Sequence, residues 1–95
     1  MHFAILCHDK PSSTQLRASI RPSHLEYLKP YLDKIVFAGP LLADDGETSI
    51  GGLVVIDCPD LSSAKDFAHN DPYALGDLFQ SVEVRPWRKV FPADT

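Results

Sequence analysis

Two residues whose types suit acid–base chemistry stand at the starts of two predicted helices. His24 follows Pro22 by two positions, and Asp71 directly precedes Pro72. Proline is favoured at the first position of a helix, because its missing N–H would have no partner there. On this interpretation His24 lies in the first turn, where the helix dipole disfavours the imidazolium. A neutral imidazole accepts a proton, and the Asp71 carboxylate is the best candidate to orient it.

Each of these residues also has a purely structural interpretation. A histidine at this position is often a polar residue on an exposed helix start, and an aspartate before a proline is a common N-cap. The two roles of Asp71 are compatible, because one carboxylate oxygen can cap a helix while the other orients an imidazole. His24 shares a helix face with Tyr27 and Tyr31. That face either lines a pocket or packs half-buried against the core.

Apolar runs and alternation predict four strands. They cover about residues 2–7, 35–38, 50–57 and 81–91. Each strand carries apolar residues on both faces, which predicts a sheet covered on both sides. Pro86 in the last strand indicates an edge strand or a bulge, because proline cannot donate to the ladder.

Cap residues and spacings of three and four predict the helices. A main helix runs over about residues 22–34, with Leu25, Leu28, Leu32 and Ile35 as its apolar stripe, after a short helical turn at about 14–20. Pro30 should kink or break the main helix. Asp60 or Ser62 caps a second helix that ends near residue 69, and a short helix runs from about residue 72 to 78.

The predicted order is β-α-β-β-α-β, the ferredoxin-like α+β arrangement with a four-stranded antiparallel sheet. Two helices cover only one face of such a sheet. Since the strands are apolar on both faces, we expect a second copy of the chain to cover the other face. Sheet-to-sheet dimerisation would enclose a cavity, and protomer interfaces of this kind are natural small-molecule sites.

Length and charge limit the possible classes of protein. Residues 1–95 make a single domain, with a loose tail from about residue 92. The net charge of −4 disfavours nucleic-acid partners and anionic membranes. We expect neither a membrane span nor a signal peptide, and therefore a cytoplasmic protein. Cys7 and Cys58 lie in or next to predicted strands and should be free, buried thiols.

No metal or cofactor motif emerges from the sequence. The acidic stretch at 43–47 lacks the alternating ligand spacing of a calcium loop, and a solvated turn is the better interpretation. Gly51 and Gly52 are not a phosphate loop, because no helix follows them directly. They predict a bulge or a place where another group approaches the backbone closely. His8 and Asp9, at the end of the first strand, lie either near the mouth of the cavity or at the surface, and the surface is the better interpretation.

Several short motifs, in this order and spacing, resemble the YciI-like (YCII-related) family of dimeric α+β-barrel proteins. The resemblance covers about residues 2–91. The motifs are Asp9-Lys10, Leu16-Arg17, Ser19-x-Arg21-Pro22-x-His24-Leu25, Ala38-Gly39-Pro40, Asp71-Pro72-Tyr73 and Val84-x-Pro86-x-x-Lys89-Val90-Phe91. Each motif is weak by itself, whereas the set is specific.

The resemblance implies a paired catalytic site, made here by His24 and Asp71. It also implies substrate-binding positions, which we assign to Arg17, Ser19, Arg21, Tyr27 and Tyr73. An arginine at such a position either holds a substrate carboxylate or phenolate, or is solvated. One family member is a dehydrochlorinase of a chlorinated hydroxyquinol, which implies cofactor-independent lyase or isomerase chemistry on a small oxygenated compound.

Two hypotheses about function follow. The first is an enzyme that uses His24 and Asp71 for general acid–base chemistry, and the positioned pair favours it. The second is a non-catalytic dimeric domain that binds a small molecule in the same cavity. The absence of a further recognisable catalytic group in the sequence favours the second hypothesis.

Overall fold

Four antiparallel strands form one sheet in the order β2-β3-β1-β4 in the computed structural model, which describes residues 1–93. The strands are β1 (His2–Asp9), β2 (Ile35–Leu42), β3 (Ser49–Asp57) and β4 (Phe79–Trp87). The helices are α1 (Thr14–Leu28), which continues into a 3₁₀ turn (Lys29–Tyr31), α2 (Leu61–His69) and α3 (Pro72–Leu75). This is the predicted ferredoxin-like α+β fold. Asp94 and Thr95, in the predicted loose tail, lie outside the described residues.

The core lies between one face of the sheet and the helices. Phe3, Ile5 and Cys7 alternate along β1 and are buried. They pack with Ile56 of β3 and with Phe67 of α2. Alternate residues of a strand point to opposite faces. Burial of every second residue of β1 therefore marks the face that the helices cover.

The two edge strands contain the prolines of the sheet. Pro86 lies in β4, an edge strand, as predicted. Pro40 lies inside β2, the other edge, so the prediction that the second strand ends at Ala38 is wrong. Edge strands tolerate proline because one side of their backbone has no neighbour that needs the missing N–H. The last strand ends at Trp87, earlier than the predicted Phe91.

A single helix replaces the predicted turn and main helix. Helix α1 begins at Thr14 and includes Pro22 in its interior. The prediction that Pro22 opens a helix is therefore wrong, and His24 lies well beyond the first turn. The α-helix ends at Leu28, and the following turn, which contains Pro30, has 3₁₀ geometry. The predicted break at Pro30 is confirmed, since proline removes one intrahelical hydrogen bond.

The predicted apolar stripe of the main helix is only partly buried. Leu32 is 66 % exposed and Leu25 is 44 % exposed. Leu28 and Ile35 are partly buried against the core, where Tyr27 and Tyr31 accompany them. The predicted stripe requires a continuous α-helix to residue 34. The 3₁₀ turn changes the angular spacing of the side chains and turns Leu32 away from the core.

Helix α2 begins as predicted from Asp60. The side chain of Asp60 accepts a hydrogen bond of 2.8 Å from the backbone N–H of Ser63. Ala64, Phe67 and Ala68 are buried, whereas Leu61 is exposed. Cys7 and Cys58 are free and buried, which confirms that prediction. Within residues 1–93, no helix has both the length and the apolar character that a membrane span requires.

The face of the sheet away from the helices is uncovered in the single chain. Phe37 of β2 is 47 % exposed and contacts Trp87 of β4 edge to face, at a centroid distance of 6.0 Å. The register places Val55, Ala4 and Arg85 across the same face. Apolar residues thus remain on a face that no helix covers.

Candidate functional site

A cavity of about 430 Å³ lies between α1 and the helix-covered face of the sheet. Apolar side chains such as Ile5, Leu28 and Val54 form much of its wall. Most of its polar side chains come from α1, α3 and the segment before α3; they include Arg17, Arg21, His24, Asp71 and Tyr73. This cavity lies within one chain, on the helix side of the sheet. The cavity between the two sheets of a dimer stays a prediction.

His24 and Asp71 both line the cavity and contact each other. Nδ1 of His24 lies 2.9 Å from Oδ1 and 2.9 Å from Oδ2 of Asp71. Asp71 is 8 % exposed and His24 is partly buried, so little water competes for this contact. Nε2 of His24 has no hydrogen-bond partner within residues 1–93. The ring nitrogen opposite Asp71 is therefore free for a ligand in the cavity.

Asp71 also caps the helix that follows it. Its Oδ1 accepts a hydrogen bond of 2.9 Å from the backbone N–H of Tyr73, at the start of α3. His24 is not at a helix start, so the helix dipole does not act on it as expected. The Asp71 carboxylate next to Nδ1 is the group that fixes the tautomer and orientation of the imidazole.

Tyr73 packs against His24 and Arg17. Its ring stacks on the imidazole with a centroid distance of 4.1 Å and an interplanar angle of 22°. The guanidinium carbon of Arg17 lies 4.6 Å from the same ring centroid. Burial raises the pKa of Tyr73, so its phenol stays protonated at neutral pH. Tyr73 therefore links the arginine and the histidine into one contiguous group.

Arg17 forms an ion pair that the sequence analysis missed. Its Nε lies 3.1 Å from Oδ2 of Asp9, whose side chain is 5 % exposed. The contact lacks hydrogen-bond geometry, and both Nε of Arg17 and Oδ1 of Asp9 are buried without a hydrogen-bond partner within residues 1–93. Nη2 of Arg17 donates to the carbonyl of Gly51. Burial raises the pKa of Asp9, against the opposing effect of Arg17.

Gly51 lies where the backbone of the neighbouring strand β1 approaches it closely. A Cβ at that position would lie 2.2 Å from the carbonyl oxygen of Cys7, which no packing allows. The prediction of a close approach at the glycine pair is thus confirmed for Gly51. At Gly52 a Cβ would meet only ordinary contacts, such as the Arg17 guanidinium at 3.8 Å.

Two of the predicted substrate-binding residues lie outside the cavity wall. Ser19 donates its hydroxyl to the carbonyl of Leu16 on the exposed side of α1. Tyr27 donates its hydroxyl to the carbonyl of Phe67 at 2.9 Å and packs against Phe67 and Tyr31. Burial raises the pKa of Tyr27, as expected for a packed phenol. Arg17, Arg21 and Tyr73 do line the cavity.

Cys7 lies in the wall of the cavity and remains a thiol. Burial raises its pKa to about 12, and the carboxylates of Asp71 and Asp9 act in the same direction. A thiolate here would be desolvated and would face two negative charges. Within residues 1–93 the side chains also form no group of three or more histidine, cysteine, aspartate or glutamate residues that could hold a metal ion.

Comparison with known proteins agrees with this architecture. The chain is 33% identical over 98 residues to Protein YciI of Escherichia coli O6:H1, covering 96% of the chain and 100% of that protein. An uncharacterised protein of Haemophilus influenzae has the same identity and coverage.

Two solved structures are similar. The first is 5-chloro-2-hydroxyhydroquinone dehydrochlorinase (TftG) from Burkholderia phenoliruptrix AC1100, in complex with 2,5-dihydroxybenzoquinone, with a TM-score of 0.88 and 28% identity. The match covers 99% of this chain and 100% of the dehydrochlorinase chain. The second, Atu4242 from Agrobacterium tumefaciens, has a TM-score of 0.56 and 15% identity over 98% and 97% of the two chains, and shares the fold alone. The model of the YCII-related domain matches residues 1–88, so the chain belongs to the YCII-related family.

Proposed function

We propose that this protein is a cofactor-independent lyase or isomerase that acts on a small oxygenated ring compound, with His24 as the general acid–base. The observation that carries the proposal is the contact of 2.9 Å between Nδ1 of His24 and the Asp71 carboxylate, beside a cavity of about 430 Å³. A fixed imidazole with one nitrogen free is the arrangement that proton transfer requires.

The proton transfer follows from the tautomer. With Nδ1–H donating to Asp71, the lone pair of Nε2 is available on the other side of the ring. Nε2 takes a proton from the ligand, and the Asp71 carboxylate stabilises the imidazolium that forms. The proton then returns to another atom of the ligand in an isomerisation, or leaves to solvent in an elimination. His24 thus ends each cycle neutral.

The proposed substrate class is a hydroxyquinol-like ring. The apolar wall of the cavity suits the ring, and Arg17 and Arg21 suit its oxygens. The similarity to a chlorohydroxyhydroquinone dehydrochlorinase supports an elimination. In such a reaction a ring hydroxyl loses its proton to Nε2, and the imidazolium returns that proton to the chlorine-bearing carbon, so that the ring becomes a chlorinated ketone. A second hydroxyl then loses its proton to Nε2, its electron pair moves through the ring, and the carbon–chlorine bond breaks. Chloride and a hydroxyquinone are the products, so the net loss is hydrogen chloride.

The direct test is an assay with 5-chloro-2-hydroxyhydroquinone under anaerobic conditions. Chloride release and quinone absorbance should rise together with wild-type protein, and His24→Ala should return both to the background rate. Equal rates for the two proteins would contradict the proposed role of His24. No turnover by either protein would exclude this compound as the substrate.

A non-catalytic binding function is the second candidate, and one observation favours it. Tyr73 and Cys7, which share the cavity wall with His24, both have raised pKa values and stay protonated at neutral pH. His24 would then be the main group able to exchange a proton there. Tight binding of a hydroxyquinone without turnover of any chlorinated or isomerisable analogue would support this second candidate.

A further inference from the structure

Asp9 is a buried charge that the proposed reaction does not use. It lies at the end of β1, where the pairing register with β4 shifts, and its side chain is 5 % exposed. It is not among the residues that line the cavity. Its Oδ2 lies 3.1 Å from Nε of Arg17, and its Oδ1 has no hydrogen-bond partner within residues 1–93. Asp9 therefore acts on the cavity through Arg17.

Arg17 has one guanidinium nitrogen, Nη1, that is left to donate to a ligand. Nη2 donates to the carbonyl of Gly51, and the guanidinium lies over the ring of Tyr73. Nη1 has no hydrogen-bond partner within residues 1–93. Since Gly51 and Tyr73 also hold the guanidinium, Asp9 is not needed to keep Arg17 in the cavity wall. Its main effect on a ligand is then electrostatic.

The balance of charges around the cavity determines how strongly Asp9 affects ligand binding. Arg17 and Arg21 supply two positive charges to the wall, and Asp71 supplies one negative charge that faces His24. Without Asp9, the arginines would attract ligands with several negative charges most strongly. With Asp9 ionised beside Arg17, one of the two positive charges is cancelled at short range, and the low local exposure limits screening by water and salt.

We propose that Asp9 is a specificity-determining residue that cancels the charge of Arg17. Each negative charge on a ring ligand therefore strengthens its binding in the cavity less than it would without Asp9. This inference rests on the proposed function only in taking the ligand to be an oxygenated ring. Arg17 still donates a hydrogen bond to a ligand oxygen. The preference among such ligands is set by the net charge of the Asp9–Arg17 pair.

Three quinones that share one ring and one substitution pattern provide the test. In 2,5-dimethoxy-, 2-hydroxy-5-methoxy- and 2,5-dihydroxy-1,4-benzoquinone, the number of hydroxyl groups that ionise at neutral pH rises from none to two. Their Kd values are measured by isothermal titration calorimetry for wild-type protein and for Asp9→Asn. Asparagine keeps the shape of Asp9 but removes its charge.

Asp9→Asn should tighten binding in proportion to ligand charge. At an effective dielectric constant of about 20, loss of one nearby unit charge changes Kd by about tenfold for each negative charge on the ligand. The neutral quinone should bind equally well to both proteins. Asp77→Asn is the matched control, because Asp77 pairs with Lys10 on the exposed surface and is 86% exposed. It should leave all three Kd values unchanged, since solvent screens its charge.

The outcomes separate this inference from the proposed function. If the quinones bind but Asp9→Asn changes all three Kd values equally or not at all, Asp9 has only a structural role and the inference is wrong. If neither wild-type protein nor Asp9→Asn binds any of the three quinones, the proposed ring ligand and the inference fail together.

A double variant covers the case in which Asp9→Asn does not fold. Asp9→Leu/Arg17→Met removes both charges, and apolar replacement of a buried ion pair is often neutral for stability. Loss of the Arg17 hydrogen bond should raise all three Kd values, but the change of Kd from one quinone to the next should match that of wild-type protein, because the pair contributes no net charge. A double variant whose Kd changes with ligand charge differently from that of wild-type protein would overturn the inference.

Discussion

The imidazole of His24 lies nearly parallel to the phenol ring of Tyr73, with their centroids 4.1 Å apart. The backbone N–H of Tyr73 binds the same Asp71 carboxylate that contacts Nδ1 of His24. His24 is thus held on one ring face and at one ring nitrogen by two residues that are neighbours in the segment leading into α3. This arrangement leaves Nε2 as the free position of the ring.

Removal of the imidazole should abolish turnover without unfolding the protein. For His24→Ala we expect kcat to fall by about 10²–10⁴, the usual contribution of a general acid–base. The melting temperature should fall without loss of the fold, because the substitution removes the stack on Tyr73 and leaves the buried Asp71 carboxylate without its side-chain partner. His69→Ala, at the end of α2 and outside the cavity wall, is the matched control and should keep full activity. An active His24→Ala variant would exclude the proposed mechanism.

Substitutions of Asp71 should separate its two contacts. Asp71→Asn keeps a good N-cap and should unfold like wild-type protein, but kcat should fall because an amide stabilises an imidazolium poorly. Asp71→Ala should lose activity and also about 1 kcal/mol of unfolding free energy. Both quantities are measured by steady-state kinetics and urea denaturation.

Asp60 provides the control for the capping role. It caps α2 in the same way but lies outside the cavity wall. Asp60→Ala should therefore lose about 1 kcal/mol of stability with no change in kcat. A fully active Asp71→Asn beside a merely less stable Asp71→Ala would assign Asp71 to capping alone.

Tyr27 should contribute to stability and not to ligand binding. Tyr27→Phe removes the hydrogen bond to the Phe67 carbonyl and should lower the free energy of unfolding by about 1 kcal/mol. The Kd of 2,5-dihydroxybenzoquinone should be the same as for wild-type protein. A weaker Kd for the phenylalanine variant would restore the substrate-binding role that the sequence suggested.

The sequence predicted the fold better than it predicted the environment of the site. The periodicity of β1 and the cap at Asp60 depend on local preferences that the structure keeps. Pro22 indicates the wrong helix start, because proline by itself favours the first turn of a helix, whereas α1 begins at Thr14 and continues through Pro22. The contact between His24 and Asp71 was anticipated, but through a helix-start argument that does not apply to His24.

Asp9 shows why the rest could not be read from the chain. An aspartate followed by lysine and proline has the composition of a surface turn. In the fold it is buried beside Arg17, which reaches it from a different element and also donates a hydrogen bond to the carbonyl of Gly51. No local pattern reports such a meeting of three elements.

We propose that the uncovered face of the sheet joins two copies of the chain. Sedimentation at micromolar concentration should give twice the monomer mass of 10.5 kDa. Phe37→Lys, at a 47 % exposed position on that face, should give monomers. Leu75→Lys, at a 70 % exposed position on the helix side, should leave the dimer intact. A monomeric wild-type protein would contradict this proposal.

Cys7 should resist alkylation far above the usual pH range of thiols. Its pKa of about 12 means that the thiolate is scarce at pH 8, and its fraction should rise about tenfold with each pH unit up to that pKa. Iodoacetamide labelling of native protein, followed by mass spectrometry, measures this directly. Cys7→Ser identifies the signal that belongs to Cys58. Rapid labelling of Cys7 at pH 8 would contradict the raised pKa.

The cavity lies on the helix side of the sheet, and the uncovered apolar residues lie on the other side. Occupation of the cavity therefore does not use the surface on which two copies would meet. Dilution separates the two properties: a ligand should bind with the same Kd at nanomolar and at micromolar protein. A substitution that abolishes ligand binding can therefore leave dimerisation intact, and the reverse also holds, because the two surfaces are opposite faces of the same four-stranded sheet.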